Sequence, residues 1–169
     1  CAEQMTYFSD KKIAFGAHLA WYISANATLP SSGPDRCIEI CEKAVTICES
    51  AKISSINFKI LFQELLSRAY LQKNDFDNAK MYCELALQDA SANELIFLQM
   101  CLYRLRANIM QDSIVKADDD KKLSIAQNTV RVYEKSLLLA SRLGLERHHY
   151  VIQKELTAFR AYCQLNRIS

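Results

Sequence analysis

Glycine and proline are scarce in this sequence, with three glycines and two prolines among 169 residues. A β-sandwich or barrel of many short strands needs such residues at its turns, so the composition argues against both architectures. Half of the residues are hydrophobic, which is enough for one domain with a substantial core. The composition therefore predicts an all-α fold in which long helices are joined by short loops.

The chain also lacks an excess of charge of either sign. Its 21 basic and 19 acidic side chains leave a formal charge of +2, too small and too dispersed for a dedicated binder of polyanions. The best basic alignment is Arg131, Lys135 and Arg142, on one side of a predicted helix, where Glu134 dilutes it and no aromatic platform accompanies it. Nucleic-acid binding is therefore disfavoured.

No motif of an enzyme or cofactor site is present. The glycine-rich phosphate loop, G-x-S-x-G and H-E-x-x-H are all missing. We interpret His148-His149 as an exposed polar pair, and DDDKK (118–122) as an exposed helix start, because it lacks the glycine and glutamate of a calcium loop. The sequence predicts no catalytic residues, no metal, no cofactor and no small-molecule substrate.

No Lys, Arg, Asp or Glu occurs from Ile13 to Pro34. The run contains polar residues and breaks at PSSGP, so its apolar part is shorter than the roughly 20 residues that span a bilayer. We therefore predict a buried helix here and no membrane segment. His18, among apolar neighbours, is expected to be a satisfied interior histidine.

Seven cysteines, an odd number, are spread through a chain whose core can be built from Leu, Ile and Ala. A disulfide scaffold is not needed, so we expect reduced thiols and a cytoplasmic or nuclear protein. Cys37, Cys41 and Cys48 follow one side of a helix, which raises a zinc site as an alternative. No CxxC pair and no nearby histidine completes a tetrahedral set, so we interpret the three thiols as core packing.

Residues 65 to 91 show helical periodicity on both sides of a short polar interruption, KNDFDN. Apolar side chains recur every three or four residues, which predicts two amphipathic helices joined by a tight turn and therefore antiparallel. Asn74 suits a left-handed helix end, and Asp75 or Asp77 suits the cap of the next helix.

The alanines of these two helices include Ala69, Ala79 and Ala86. Alanine is the best helix former that is also small, so these positions predict a close crossing, with helix axes about 8–10 Å apart. Tyr70 and Phe76 are expected to close the slot from its sides.

Residues 60 to 93 resemble a tetratricopeptide repeat (TPR), a helix–turn–helix unit of roughly 34 residues. The family's key positions are occupied by Leu66, Ser67, Tyr70, Phe76, Ala79, Cys83 and Ala86. Gln63 stands where the family has a tryptophan, and Ser91 stands where it has the closing proline.

Other segments repeat this pattern more loosely. Further helices are predicted at 12–27, 34–52, 94–110, 122–144 and 147–166, with a loop TLPSSGP and an insertion QDSIVKADDDK inside two of the pairs. We predict one helical-repeat domain over 1–169, with repeats at about 11–52, 60–93 and 94–144, a capping helix at 146–166, and a chain that is a fragment of a longer one. The resemblance implies a right-handed α–α superhelix, a TPR-like solenoid of about three antiparallel helix pairs plus a terminal helix.

The resemblance also implies a concave binding face on the first helix of the clear repeat. Its ligand-facing positions are Leu61, Glu64, Leu65, Arg68, Leu71 and Gln72. This mixed surface suits a peptide or amphipathic helix of another protein, which predicts a protein–protein interaction scaffold within a multiprotein complex. Leu61, Leu65 and Leu71 could instead be core between repeats. The alternative functions are a purely architectural arm, as in the proteasome lid, and a nucleic-acid-binding solenoid.

Overall fold

The computed structural model describes residues 14–50 and 56–168, and all of its regular structure there is helical. The helices are α1 Ala14–Ser31, α2 Pro34–Ser50, α3 Ile56–Gln72, α4 Phe76–Ala92, α5 Ile96–Ser113, a 3₁₀ turn Ile114–Lys116, α6 Asp119–Arg142 and α7 Glu146–Leu165. The all-α prediction is confirmed. The predicted repeat 11–52 extends at both of its ends into residues outside this description.

Helix α1 is longer than the sequence indicated, and the predicted loop TLPSSGP is not formed as such. The helix continues through Pro30 to Ser31, and only Ser32 and Gly33 separate it from α2. A proline in the last turn removes a single intrahelical hydrogen bond, while Thr28 and Ser31 donate their hydroxyls back to helix carbonyls at 2.8 and 2.6 Å. Gly33, with φ of 87°, then lets the chain reverse direction into α2.

The predicted insertion 111–121 is also mostly helical. Helix α5 runs to Ser113, the 3₁₀ turn follows at once, and α6 begins at Asp119. Ile114 is fully buried in the core around α5, α6 and α7, so it holds this connection against the helices. A single buried isoleucine in a polar segment gives too weak a periodic signal to be recognised in the sequence.

The chain divides into two compact units between Asp89 and Ala90, within α4. In the first unit α1 packs on α2 and α3, and α2 packs on α3. Its core is formed by residues of these three helices, including Leu29, Cys41, Phe62 and Leu66. In the second unit α6 packs against both α5 and α7.

The close crossing of α3 and α4 is consistent with the alanine pattern. Ala69, Ala79 and Ala86 are all fully buried. The hydroxyl of Ser67, also fully buried, donates a hydrogen bond to the carbonyl of Ala79 at 2.7 Å. A backbone carbonyl on one helix can be reached by a serine on the next only where the side chains between them are small.

Four helices end in the same way, with a residue at positive φ followed by a 6→1 backbone hydrogen bond. The positive-φ residues are Asn74, Glu94, Gly144 and Arg167. The amide of the following residue bonds the carbonyl five residues back at 2.9–3.0 Å in each case. The predicted helix end at Asn74 is confirmed. So is the cap at Asp75, whose carboxylate accepts from the amide of Asn78 at 3.2 Å.

The second unit is held by polar contacts as well as by its apolar core. Arg104 on α5 forms a two-pronged ion pair with Glu155 on α7. The buried hydroxyl of Tyr133 on α6 donates to the side-chain oxygen of Asn108 at 2.7 Å or that of Gln111 at 3.1 Å. These bonds join all three helices of the unit. Among the described helices, none is long and apolar enough to cross a membrane.

Candidate interaction surfaces

The six residues predicted to face a ligand on α3 differ widely in accessibility. Leu65 is fully buried and belongs to the core of the first unit, so it presents no surface to a partner. Leu61 packs partly against the same core. Leu71 is half-buried and Gln72 is exposed. For Leu65 and Leu61 the structure therefore fits the alternative of core packing.

Glu64 lies toward α2. Its side chain is 21% exposed, and its carboxylate lies 3.5 Å from the guanidinium of Arg68. Burial raises the pKa of Glu64, against the opposing effect of Arg68. The charge of Glu64 also acts on the thiols of Cys37 and Cys41, which lie on α2. Of the predicted charged pair, Arg68 is the accessible member.

The cysteines of α2 lie in the core, as the packing interpretation requires. Cys37, Cys41 and Cys48 are all buried, and the first two place their sulfur atoms 3.9 Å apart. The hydrogen bond with Cys37, together with burial, raises the pKa of the Cys41 thiol. Within residues 14–50 and 56–168, no group of three or more His, Cys, Asp or Glu side chains is placed to hold a metal ion.

Tyr70 joins three helices of the first unit. Its ring stacks on Tyr82 of α4 with centroids 5.6 Å apart, and its hydroxyl donates to Glu42 of α2 at 3.2 Å. Burial, followed by the charge of Glu42, raises the pKa of Tyr70 to about 12. Nearby, Lys73 forms an ion pair with Asp35 at 2.6 Å. Tyr70 therefore links α2, α3 and α4.

The histidines take different positions. His18 is buried, as expected for an interior histidine, and stacks on Phe58 at 5.5 Å, but its Nδ1 has no hydrogen-bond partner within the described part of the chain. His148 meets the ring of Phe97 edge-on at 5.7 Å. His149 is half-buried beside a surface depression described below.

The three basic residues of α6 differ in their contacts. The ammonium of Lys135 lies 5.6 Å from the ring centre of Tyr103, a cation–π contact within its own unit. Arg131 and Arg142 are exposed.

The surface that sequence reasoning missed is the outward face of α1. Leu19 and Ile23 are 40% and 58% exposed, although the segment was predicted to be a buried helix. The flanking exposed positions carry no charge: Ala20, Ser24, Asn26, Ala27, Pro30 and Ser31. The charge-free run from Ile13 to Pro34 was the available signal. It shows that no side of the helix carries charge, but it does not show which side its own chain covers.

A surface depression in the second unit lies where α6 ends and α7 begins. Its volume is about 490 Å³, and its lining includes Ala140, Leu145, His149, Tyr150 and Gln153. Its lining combines apolar and polar side chains.

Within residues 14–50 and 56–168 these elements define a class: an all-helical protein built from helix hairpins, in which the outer face of α1 carries no charge. Comparison of the chain with models of known protein families, with curated proteins and with solved structures finds no match.

Proposed function

We propose that this chain is a protein–protein interaction module, a TPR-like array of helix hairpins that binds a helix of a partner protein within a multiprotein complex. The observation that carries this proposal is the exposed, uncharged outward face of α1. We assign no catalytic activity, cofactor or nucleic-acid ligand to the module. Its six described cysteines, which form no disulfides, support a reducing compartment, cytoplasm or nucleus.

The neighbouring helix α2 provides an internal comparison. The outward face of α2 is charged at five exposed positions: Asp35, Arg36, Glu39, Glu42 and Lys43. Two of its ion pairs, both to Glu39, lie entirely on the surface. This is the usual pattern of a solvated helix face, and α1 has nothing like it. An exposed apolar stripe without charges is typical of a surface that another protein covers.

The chemistry of the face indicates what kind of partner would fit. Leu19 and Ile23 project as two aliphatic knobs, with Ala20 and Ala27 beside them. Small residues let a second helix approach closely. Because the face has no charge, any ion on the partner's surface would lose its hydration on binding and gain no ion pair in return. No strand is present in the described ranges, so there is no sheet edge for strand addition. The partner segment is therefore an amphipathic helix with an uncharged apolar stripe.

The predicted α3 surface has a secondary place in this proposal. Arg68 and Gln72 are its accessible polar members, while Leu65 is enclosed. If α3 contributes to binding, it does so through Arg68 rather than through an aliphatic groove.

The test compares two isoleucines of the first unit. Ile23→Glu places a charge on the proposed face, and Ile47→Glu places one on α2, where the side chain is 45% exposed. Both variants should keep the helical circular dichroism of the parent chain, because neither side chain is buried. In affinity capture from the source cells, we expect Ile23→Glu to lose a partner that the parent and Ile47→Glu retain.

A third variant, with charge reversal at both Glu64 and Arg68, separates the two candidate faces. Loss of the partner only in this variant would transfer binding from α1 to α3. Retention of every partner by all three folded variants would instead favour the architectural alternative, in which the hairpins set a spacing and binding occurs elsewhere.

A further inference from the structure

The two cysteines nearest the start of α2 lie close to each other. Cys37 and Cys41 are one helical turn apart, and the distance between their sulfur atoms is 3.9 Å. Residues with this spacing have Cα atoms about 6 Å apart in an α-helix, within the range that a disulfide spans. Cys48 is also buried on α2, but it lies seven residues beyond Cys41, almost two turns along the helix. Joining the first two thiols in a disulfide therefore requires only a small adjustment of α2.

The surroundings of Cys37 favour its thiolate form, which is the nucleophile in thiol chemistry. Cys37 lies in the first turn of α2, at the positive end of the helix dipole. The hydrogen bond with Cys41 lowers the pKa of the Cys37 thiol below its usual value. Thr28 of α1 and Arg68 of α3 lower this pKa further, whereas burial and the charge of Glu64 raise it without cancelling the effect. Cys37 is therefore the thiol that attacks an oxidant first.

Because both thiols are fully buried, only a small oxidant reaches them in the folded chain. The layer above Cys37 is thin, since Cys37 hydrogen-bonds Thr28, which is itself partly exposed. The side chain of Arg68, which acts on Cys37, is 43% exposed. The pair also lies near the beginning of a helix, and helix ends open locally more easily than helix centres. Hydrogen peroxide, which is little larger than water, meets these conditions.

We propose that Cys37 and Cys41 form a peroxide-reactive dithiol site. The Cys37 thiolate attacks one oxygen of hydrogen peroxide, the O–O bond breaks, and Cys37 becomes a sulfenic acid. The departing hydroxide takes up a proton and leaves as water. Cys41 then attacks the sulfenic sulfur, the S–S bond forms, and a second water carries away the oxygen and the Cys41 proton. The two thiols lose two electrons in total, the peroxide gains them, and a dithiol reductant reverses the change.

A permanent bridge and a metal ion explain this pair less well. The six described cysteines are all free thiols, and disulfides in a reducing compartment are usually transient, which fits a sensing site. A structural zinc needs four ligands, and the described residues offer no group of three or more His, Cys, Asp or Glu around one position. Reversible oxidation uses only the two sulfur atoms that lie side by side.

The test follows the thiols of the intact folded chain by mass spectrometry after a brief exposure to hydrogen peroxide. Remaining thiols are blocked with N-ethylmaleimide in denaturant, and the chain is cut with trypsin without reduction. Trypsin cuts after Arg36, Lys43 and Lys52, so the pair falls in peptide 37–43 and Cys48 in the next. We expect peptide 37–43 to become two hydrogen atoms lighter and unblocked about tenfold faster than Cys48 is oxidised. Dithiothreitol added before blocking should restore the doubly blocked peptide.

Two matched variants separate the pair from the rest of α2. Cys41→Ser keeps a hydrogen-bond donor beside Cys37 but removes the second thiol, so the lighter peptide should not form. Cys48→Ser makes the same change at another buried cysteine of this helix and should leave the reaction unchanged. Circular dichroism verifies that both variants fold, and the measurement on the parent chain stands without them.

The proposal is overturned if peptide 37–43 stays fully blocked while Cys163, a half-buried thiol in peptide 161–167, is oxidised. It is also overturned if Cys48 reacts as fast as the pair, since oxidation would then report general unfolding. Addition of oxygen to the pair without a bridge contradicts it as well. Neither thiol lies on the outward face of α1, so failure here leaves the proposed partner-binding face standing.

Discussion

The hydroxyl of Ser67 donates a hydrogen bond across the α3–α4 crossing to the main-chain carbonyl of Ala79, at 2.7 Å. Both residues are fully buried, so this bond exists only because the two helices approach each other without large side chains between them.

This crossing should be intolerant of added volume and moderately sensitive to loss of the hydrogen bond. Ser67→Ala is expected to lower the free energy of unfolding by about 1 kcal/mol, because the Ala79 carbonyl also belongs to the helix ladder. Ala79→Leu should cost about 1–3 kcal/mol by overpacking. Urea unfolding followed by circular dichroism measures both values. Equal, negligible effects would contradict the close crossing.

Two of the helix ends should respond in opposite directions to substitution. Gly144 has φ of 65°, and an added Cβ would meet no atom within 4 Å, so only backbone strain opposes Gly144→Ala. We expect a loss of about 0.5–1 kcal/mol for this change. Glu94 adopts φ of 54° with a full side chain, so Glu94→Gly should gain a similar amount. Thermal unfolding of the two variants provides the comparison, and a shift of the same sign in both would argue against the shared geometry.

The half-buried carboxyl of Glu64 should make the protein less stable at neutral pH than its neutral analogue. Burial raises the pKa of Glu64 in the folded state, so the protonated carboxyl contributes to stability below the unfolded pKa. That contribution is lost as pH rises through the folded pKa. Glu64→Gln is therefore expected to stabilise the chain at pH 7, with the difference disappearing in acid below the usual pKa of about 4.3. Unfolding curves at the two pH values test this. Destabilisation at pH 7 would mean that the contact with Arg68 outweighs desolvation.

Tyr70 should contribute to a loss of stability in alkali. Its pKa is raised to about 12, so its contribution is intact below the usual pKa of about 10 and is lost as pH rises toward 12. Tyr70→Phe should lose about 0.5–1.5 kcal/mol at neutral pH, through the missing bond to Glu42, and show a smaller decline above pH 10. Tyr133 and Tyr82, whose pKa values are also raised, account for the decline that remains. Phenolate absorbance against pH gives an independent readout.

The helices and their tightest turn could be predicted from local chemistry. Asn74 and Asp75 were recognised because their side chains suit the backbone geometry of a helix end and a helix start, whatever surrounds them. The end at Glu94 uses the same geometry, but glutamate has no special preference for it and so gave no signal. Pro30 misled in the other direction, because the helix continues through it to Ser31, with the hydroxyls of Thr28 and Ser31 bonded to helix carbonyls there.

The candidate site was predicted less well than the fold. Leu65 and Ile23 are both aliphatic residues on helices with apolar faces, yet one is enclosed and the other is 58% exposed. The difference depends on which neighbouring helix covers each face, and neither residue type nor spacing contains that information.

The sequence by itself determined that the chain is helical and where small residues let α3 and α4 meet, because helix periodicity, capping and side-chain size act over a few residues. The tertiary structure alone decided which apolar faces are covered and which remain open. Coverage depends on contacts between residues far apart in the chain, so the buried position of Leu65 and the open position of Ile23 became visible only when the helices were packed.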